Sequence, residues 1–184
     1  MKRVLVPLAA GFEEIEAMTI IDVLRRAGVE VVVAGAGPAG QPIEGSWGVR
    51  VTPDRSLDDA RASDFDMVVL PGGTKGVENL KRHPKLLPLL GEFMARGKHV
   101  AAICAAPLLL AEAGLLCGKQ VTSYPSVKPQ VAASSLYSEE RVVQDGKLVT
   151  SRGPGTAMEF AFVLVGILAG EEKARELKQG MLAR

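Results

Sequence analysis

The stretch KHVAAICAAPL, which runs from Lys98 to Leu108, carries the strongest indication of the fold. Its first part is an apolar run of the kind found in strands that are buried on both faces. The run ends at Cys104, and two alanines then lead to Pro107, a residue type favoured in the first turn of a helix. The stretch therefore predicts a buried strand, a tight turn and a helix in direct succession.

The same alternation of short apolar runs and helical periodicities extends over the rest of the chain. The predicted strands are residues 3–8, 30–34, 67–70, 98–103, 121–122 and 148–151. The predicted helices are residues 13–27, 76–95, 107–113, 126–133, 156–169 and 172–182. Strands that alternate with helices form a mostly parallel sheet with helices on both faces. The sequence thus predicts a doubly wound, flavodoxin-like α/β fold, with residues 1–184 as a single domain.

Two turn patterns and one misleading motif complete this organisation. Asp145-Gly146 lies between two short apolar runs and predicts a hairpin, and a second hairpin is expected over residues 43–52. Residues 35–40 read GAGPAG and match the glycine spacing of a dinucleotide-binding loop. Such a loop has to open a helix, whereas Pro38 and Pro42 prevent a helix from starting here. We therefore interpret this segment as a turn, and no cofactor is predicted.

The charge balance argues against two classes of partner. The chain has 22 basic and 21 acidic residues, and its formal net charge is +1. This balance gives no basic field to attract nucleic acid or an anionic membrane surface. Aromatic residues make up only 4% of the chain, too few for stacking on single-stranded bases. With two cysteines and no CxxC pair, the chain fits a reducing cytoplasm.

Cys104 stands at the carboxyl end of its strand, where doubly wound sheets bind their ligands. A cysteine between a strand and a helix lies near the positive end of the helix dipole, which favours the thiolate. Ala105 and Ala106 are small enough for a sharp nucleophile turn. The alternative is an ordinary buried cysteine, because free cysteines are often core residues. The strand-end position favours the functional interpretation.

Two further segments reach the same edge of the sheet. Gly72 and Gly73 follow a central strand, and the N–H of Gly73 can join that of Ala105 as an oxyanion site, although a plain turn explains the segment equally well. Glu16 lies in the first predicted helix and would face Cys104. A partly desolvated carboxyl there can stay protonated and act as a general acid or base. Acidic residues also stabilise helix N-termini, so both interpretations of Glu16 remain open.

The remaining candidate side chains are assigned no chemistry. His83 precedes a proline between helices, and His99 opens its strand at the end opposite Cys104. Neither histidine is therefore placed to act as the base of a Cys–His pair. Cys117 lies before a glycine without an activating environment and is expected to be inert packing. Two scattered histidines and two unrelated cysteines do not make a zinc site, so no metal is predicted.

Five segments together resemble the ThiJ/PfpI superfamily, in the branch of the Parkinsonism-associated protein deglycase and bacterial YajL. They are GFEEIE (11–16), IDVLRRAG (21–28), VVLPGG (68–73), AAICAAP (101–107) and SRGPGT (151–156), in the expected order across nearly the whole chain. The resemblance implies a flavodoxin-like fold and a homodimer. Family members are linked to cofactor-free glyoxalase activity, to deglycase activity, to oxidative-stress sensing and to chaperone-like roles.

The resemblance also implies roles for residues of this chain. Cys104 matches the family's easily oxidised nucleophile, and Glu16 matches the carboxyl that hydrogen-bonds it and shifts its titration. Gly73 and Ala105 match the positions whose amides face the reacting oxygen. The further positions expected to line the site are Gly72, Tyr124, Arg152, Gly153 and Pro154.

Two departures from the family pattern bear on the mechanism. Better-known members have a histidine where this chain has Tyr124, and a tyrosine cannot replace imidazole as a base near neutral pH. Glu16 must therefore carry more of the proton transfer. Protease-like relatives place a histidine directly after the nucleophilic cysteine, whereas this chain has Ala105 there, which disfavours peptidase activity.

We therefore expect a cofactor-independent enzyme that acts on dicarbonyls such as methylglyoxal, or on their adducts with cysteine, lysine or arginine, in protection against carbonyl and oxidative stress. The Cys104 thiolate attacks the aldehyde, and Glu16 moves a proton between adjacent carbons. The alternative from another class is a non-catalytic redox sensor or chaperone-like protein in which Cys104 is oxidised to a sulfinate. A third interpretation is that Cys104 is core packing in an inert member of the fold.

Overall fold

The computed structural model describes residues 1–38 and 40–183 of the chain. Its strands are β1 (Arg3–Leu8), β2 (Glu30–Gly35), β3 (Ile43–Glu44), β4 (Arg50–Val51), β5 (Arg55–Ser56), β6 (Met67–Leu70), β7 (His99–Ile103), β8 (Gln120–Val121), β9 (Leu136–Tyr137), β10 (Val142–Asp145) and β11 (Leu148–Ser151). Its α-helices are α1 (Glu14–Arg26), α2 (Thr74–Arg82), α3 (Leu86–Ala95), α4 (Pro107–Glu112), α5 (Lys128–Ala132), α6 (Ala157–Ala169) and α7 (Glu171–Gly180). Strands and helices therefore alternate as the sequence predicts.

Seven of the strands form one sheet in the order β10-β11-β7-β6-β1-β2-β5. Every neighbouring pair in it is parallel except β10 and β11. The chain adds β2 on one side of β1, returns to β6 on the other side and continues to β7, so right-handed crossovers place the connecting helices on opposite faces. Accordingly α1 packs with α6, whereas α2, α3 and α4 pack with one another. This confirms the predicted flavodoxin-like, doubly wound α/β fold.

The direction of strand addition reverses between β1 and β6, and this reversal creates a crevice at the carboxyl ends of the strands. The loops that leave β1, β6 and β7 there begin at Ala9, Pro71 and Cys104. Strands β6 and β7 are almost wholly buried because helices cover both of their faces. A rigid, apolar sheet therefore sets the positions at which these three loops start.

The single helix predicted over residues 76–95 is wrong, because α2 and α3 occupy this region as two helices. They are separated by His83, Pro84 and Lys85. Proline has no N–H and restricts the residue before it to extended backbone, and His83 accordingly has φ −76° and ψ 117°. The other predicted helices are present, with bounds that differ by one or two residues.

Both predicted hairpins are present. Asp145 pairs with Leu148 beside the turn between β10 and β11, and Ile43 pairs with Val51 in β3 and β4. No helix opens at residues 36–38 or at residue 40, and Ala39 of the same predicted turn lies outside the described residues. The strand predicted at 121–122 is β8, which pairs with β9 in a separate two-stranded sheet.

Helix α6 is apolar on nearly all sides because three elements of the same chain surround it. It packs on α1, on α7 and on β11, and its residues Phe160, Leu164 and Val165 are fully buried. In the described part of the chain, no helix combines the length and the apolar character needed to cross a membrane.

Candidate active site

Cys104 occupies a strained turn directly after β7. Its φ is +65°, a left-handed conformation that residues other than glycine adopt only at a cost and that is frequent at functional sites. Two backbone hydrogen bonds hold the turn: the Cys104 N–H donates to the Ser151 carbonyl at 2.9 Å, and the Tyr124 N–H donates to the Cys104 carbonyl at 2.8 Å. The side chain is 8% exposed. The sulfur is thus fixed at the base of the crevice.

Glu16 reaches the same place from the first turn of α1. The helix begins after Glu13, whose carboxylate caps it by accepting the Ile15 N–H at 3.4 Å. Helical periodicity then puts Glu16 on the buried stripe that continues with Ile20 and Leu24. A carboxyl with no exposed surface is costly unless it is hydrogen-bonded or used. This burial argues that Glu16 does more than stabilise the helix dipole.

The Gly72 backbone holds the carboxyl and the thiol together. Its N–H donates to Oε2 of Glu16 at 2.7 Å. A Cβ on Gly72 would lie only 2.6 Å from the Cβ of Cys104 and 2.7 Å from Oε2 of Glu16. Gly73 has φ +89°, and a Cβ there would lie 2.5 Å from the Gly11 carbonyl oxygen. The two glycines are therefore required by close packing, which a plain turn would not demand.

The environment shifts the pKa values of both groups. Burial raises the pKa of the Glu16 carboxyl from 4.5 to about 7, although the Gly72 N–H and the neighbouring thiol both lower it. Burial also raises the pKa of the Cys104 thiol from 9.0 to about 12, and the negative charge of Glu16 raises it further. The amides of Gly73 and Ala105 lie close enough to the sulfur to lower this pKa in part.

The direction of the thiol shift is opposite to the one expected from strand-end position alone. Desolvation outweighs the two amides and the helix dipole, so the free thiolate is scarce near neutral pH. Near neutral pH, Glu16 is present in both its charged and its neutral form, because its pKa is about 7. In the described residues, the Oε1 atom of Glu16 has no hydrogen-bond partner of ordinary geometry. The carboxylate is thus able to accept the thiol proton when the sulfur reacts.

A cavity of about 420 Å³ opens above the cysteine. Its walls contain Gly73, Cys104, Ala105, Tyr124 and Pro154 from among the residues predicted to form the site. Glu16 and Gly72 lie beneath it, in contact with the cysteine. Glu13 also lines the cavity, although its place in the sequence is explained by stabilisation of the helix N-terminus. The sequence did not single out the other lining residues, which are Ser46, Trp47, Thr74 and Lys75.

Besides Glu16 and Gly72, two further predicted site residues, Arg152 and Gly153, are not part of the cavity wall. The Arg152 guanidinium donates to the Glu139 carbonyl at 2.9 Å and also pairs with the Glu139 carboxylate. Gly153 lies behind the Tyr124 ring, since a Cβ there would be 3.1 Å from the ring carbon Cδ2. Arg152 thus orders the loop that carries Pro154 into the wall, and Gly153 leaves space for the aromatic ring.

The side chains that were assigned no chemistry lie elsewhere. His99 opens β7 at the end opposite Cys104, as predicted, and His83 is 3.6 Å from the Asp58 carboxylate. The description of Cys117 as inert packing is wrong, because this residue is exposed. Within residues 1–38 and 40–183, no three His, Cys, Asp or Glu side chains come together in a group that could hold a metal ion.

Comparison with known proteins agrees with this arrangement. Protein dj-1beta of Drosophila melanogaster is 46% identical over 182 residues, which cover 98% of this chain and 97% of the relative. Its crystal structure matches with a TM-score of 0.94 and 47% identity over 100% of this chain and 98% of that one. Parkinson disease protein 7 homolog of Danio rerio is 42% identical over 186 residues, covering 100% of this chain and 98% of the relative.

A more distant relative carries an activity in its name. Glutathione-independent glyoxalase DJR-1.2 of Caenorhabditis elegans is 36% identical over 166 residues, which cover 90% of this chain and 87% of the relative. The DJ-1/PfpI family model matches residues 2–166. With this match, the shared fold and the high identity to two further relatives, the chain belongs to the DJ-1/PfpI family.

Proposed function

We propose that this protein is a cofactor-independent glyoxalase that converts methylglyoxal and similar 2-oxoaldehydes into 2-hydroxy acids. One observation carries the proposal: the Cys104 sulfur and the Glu16 carboxyl are buried side by side at the base of an open crevice. The glyoxalase activity named for the C. elegans relative supports the same chemistry. The pair supplies a nucleophile and a proton carrier, which are the two groups that the reaction needs.

The first step is the attack of sulfur on the aldehyde carbon. Because the raised pKa of Cys104 makes free thiolate scarce, the thiol proton passes to the Glu16 carboxylate as the carbon–sulfur bond forms. The amides of Gly73 and Ala105 stabilise the resulting oxyanion. Glu16 then returns the proton to that oxygen, which gives a hemithioacetal and restores the carboxylate.

The second step moves a proton between the two carbonyl carbons. Glu16 removes the proton from the former aldehyde carbon to give an enediol, and the proton is then delivered to the neighbouring carbon. The aldehyde carbon is thereby oxidised to a thioester while the ketone carbon is reduced to an alcohol, so no external oxidant or reductant is needed. Water hydrolyses the thioester and releases the hydroxy acid and the thiol. The same chemistry applies to glycated adducts, which makes deglycation a related activity.

Lactate formation from methylglyoxal tests this proposal. We expect the reduced wild-type protein to form lactate and Cys104→Ser to form none, with folding of both checked by circular dichroism. In D₂O the lactate should carry deuterium at C2, because the proton on Glu16 exchanges with solvent. Deuterium at C2 would exclude a direct hydride shift, whereas retained hydrogen would mean that the proton on the buried Glu16 does not exchange during turnover. The role given to Glu16 is then tested by Glu16→Gln, which should form lactate far more slowly than the wild type.

Absence of turnover in reduced, folded protein would reject the glyoxalase proposal. The redox-sensor or chaperone-like alternative would then be tested by following oxidation of Cys104 with peroxide, whose sulfinate product mass spectrometry identifies. The homodimer and the cytoplasmic location stay predictions.

A further inference from the structure

The wall of the crevice is unusually aromatic for this chain. Trp47 is the only tryptophan and Tyr124 is one of two tyrosines, and both line the cavity above Cys104. The cavity volume of about 420 Å³ falls in the range that binds ligands of drug size, roughly 300–1,000 Å³. Methylglyoxal has five heavy atoms and would fill a small part of it. The site therefore has room for a larger substituent than a methyl group.

The backbone that carries Trp47 is firmly attached to the crevice. In the loop between β3 and β4, the Ser46 N–H donates to the Phe12 carbonyl at 2.9 Å, and the Ser46 hydroxyl donates to the Gly11 carbonyl at 2.8 Å. The Trp47 N–H donates to Oε1 of Glu14 at 2.5 Å. These bonds join the loop to the segment that leads into α1, which also supplies Glu16.

Glu14 is a buried carboxyl whose visible task is to hold this loop. It is 7% exposed, and in the described residues its Oε2 has no hydrogen-bond partner. A Cβ on Gly45 would lie 2.5 Å from Oε1 of Glu14, so the loop backbone packs directly on the carboxyl. Glu14 is thus a positioning residue that acts through the backbone of Trp47.

The backbones of Trp47 and Tyr124 are fixed by hydrogen bonds, but their aromatic rings are accessible to a ligand. Trp47 is 82% exposed although its N–H is fixed, and Tyr124 is 45% exposed although its N–H is bonded to the Cys104 carbonyl. Exposed indole surface is costly in water, and a planar apolar group that covers it recovers both area burial and stacking.

From this geometry we propose that Trp47 and Tyr124 form an aromatic clamp that selects 2-oxoaldehydes with an aryl substituent over methylglyoxal. This inference rests on the proposed glyoxalase function and specifies its substrate class. The aldehyde carbon bonds to Cys104, and the substituent on the ketone carbon extends between the solvent-facing rings. Atoms balance as before: phenylglyoxal and water give mandelate.

Relative rates test the clamp. For each protein the ratio of kcat/KM for phenylglyoxal to kcat/KM for methylglyoxal is measured. We expect the ratio to be well above one in the wild type and to fall about two- to tenfold in Trp47→Ala, the range that aromatic pairs contribute. The matched control is Val49→Ala, a half-exposed apolar residue of the same loop that does not line the cavity and should leave the ratio unchanged. An unchanged ratio in Trp47→Ala overturns the clamp.

Two Glu14 variants test the positioning role. Glu14→Ala removes the acceptor of the Trp47 N–H and should lower the ratio as Trp47→Ala does. Glu14→Gln keeps an acceptor oxygen and should restore the wild-type ratio. Sedimentation of all variants is measured in parallel. If Trp47→Ala changes the oligomeric state and lowers both rates equally, Trp47 serves an interface between copies and the clamp is wrong.

A binding measurement separates the clamp from the proposed reaction. Because Trp47 is the only tryptophan, intrinsic fluorescence excited at about 295 nm, the red edge of indole absorption, reports on this wall alone. In Cys104→Ser, mandelate should change the fluorescence saturably, while lactate at the same concentration should not. Saturable mandelate binding without any dicarbonyl turnover would reject the glyoxalase and retain the clamp. Turnover of methylglyoxal without mandelate binding would retain the glyoxalase and reject the clamp.

Discussion

The two cysteines of this chain stand in opposite environments. Cys104 is 8% exposed, adopts φ +65° and lies against a buried carboxyl. Cys117 is exposed and precedes Gly118 in the connection between α4 and β8. Both are free thiols. The accessible thiol faces solvent, whereas the enclosed thiol lies beside a carboxyl, two backbone amides and a cavity.

The comparison teaches that the neighbours of a thiol, more than its exposure, determine what it can catalyse. Burial alone makes Cys104 a poorer nucleophile, because it raises the pKa of the thiol. In the proposed mechanism Glu16 offsets this effect, since its pKa of about 7 lets it accept and return a proton near neutral pH.

Exchange of each cysteine for serine should give the largest difference. Cys104→Ser should lower methylglyoxal turnover by at least about a thousandfold, because loss of a covalent nucleophile costs several orders of magnitude. Cys117→Ser should retain the wild-type rate. Initial rates of lactate formation measure both. Equal losses in the two variants would mean that the buried environment gives Cys104 no special role.

Removal of the base should have the next largest effect. Glu16→Gln keeps an acceptor for the Gly72 N–H but cannot take a proton, and kcat should fall by about 10²–10⁴. The control is Asp22→Asn, an exposed carboxylate on the same helix that pairs with Arg26. It should leave kcat unchanged. Full turnover by Glu16→Gln would contradict the proton-transfer role that the proposed mechanism gives to Glu16.

A methyl group placed between Cys104 and Glu16 tests how closely these two side chains must approach each other. In Gly72→Ala the new methyl would meet the Cys104 Cβ at 2.6 Å and the Glu16 carboxylate at 2.7 Å. Gly72→Ala should therefore lower kcat by about a hundredfold, because displacement of reacting groups by about 1 Å costs about that much in rate. Overpacking should also lower the free energy of unfolding by about 1–3 kcal/mol.

The control for this substitution is Gly91→Ala. Gly91 lies in α3, and a Cβ there would have no neighbour within 4 Å. This variant should keep its activity and gain about 0.5–1 kcal/mol in the free energy of unfolding. Urea unfolding and initial rates distinguish the two variants. A Gly72→Ala protein as active as Gly91→Ala would show that close contact is not required.

The sequence predicts the scaffold of this site better than its electrostatics. Apolar runs and the strand-end rule place Cys104 correctly, and helical periodicity gives the direction of Glu16. The sign of the thiol shift was missed because the extent of desolvation depends on elements that are distant in sequence. Trp47 was missed for the same reason, since its loop is fixed by tertiary hydrogen bonds to residues 11–14 that no local pattern displays.

The free energy of unfolding should depend on pH because folding raises the pKa of Glu16. The pKa of Glu16 is raised from 4.5 to about 7 on folding, so the folded state binds its proton more tightly than the unfolded chain. This stabilising contribution is fully present below pH 4.5 and is lost as the pH rises through about 7. Glu16→Gln has no such titration and serves as the reference.

Urea unfolding at pH 4.5 and pH 8 should show this loss. Relative to Glu16→Gln, the wild type should lose at most about 3 kcal/mol over this interval, since a tenfold change in proton affinity corresponds to about 1.4 kcal/mol. Asp22→Asn should follow the wild type, because this variant keeps Glu16. If the free energy of unfolding changed equally with pH in the wild type and in Glu16→Gln, the pKa of Glu16 would be the same in the folded and unfolded states. The raised pKa on which proton transfer from Cys104 depends would then be absent.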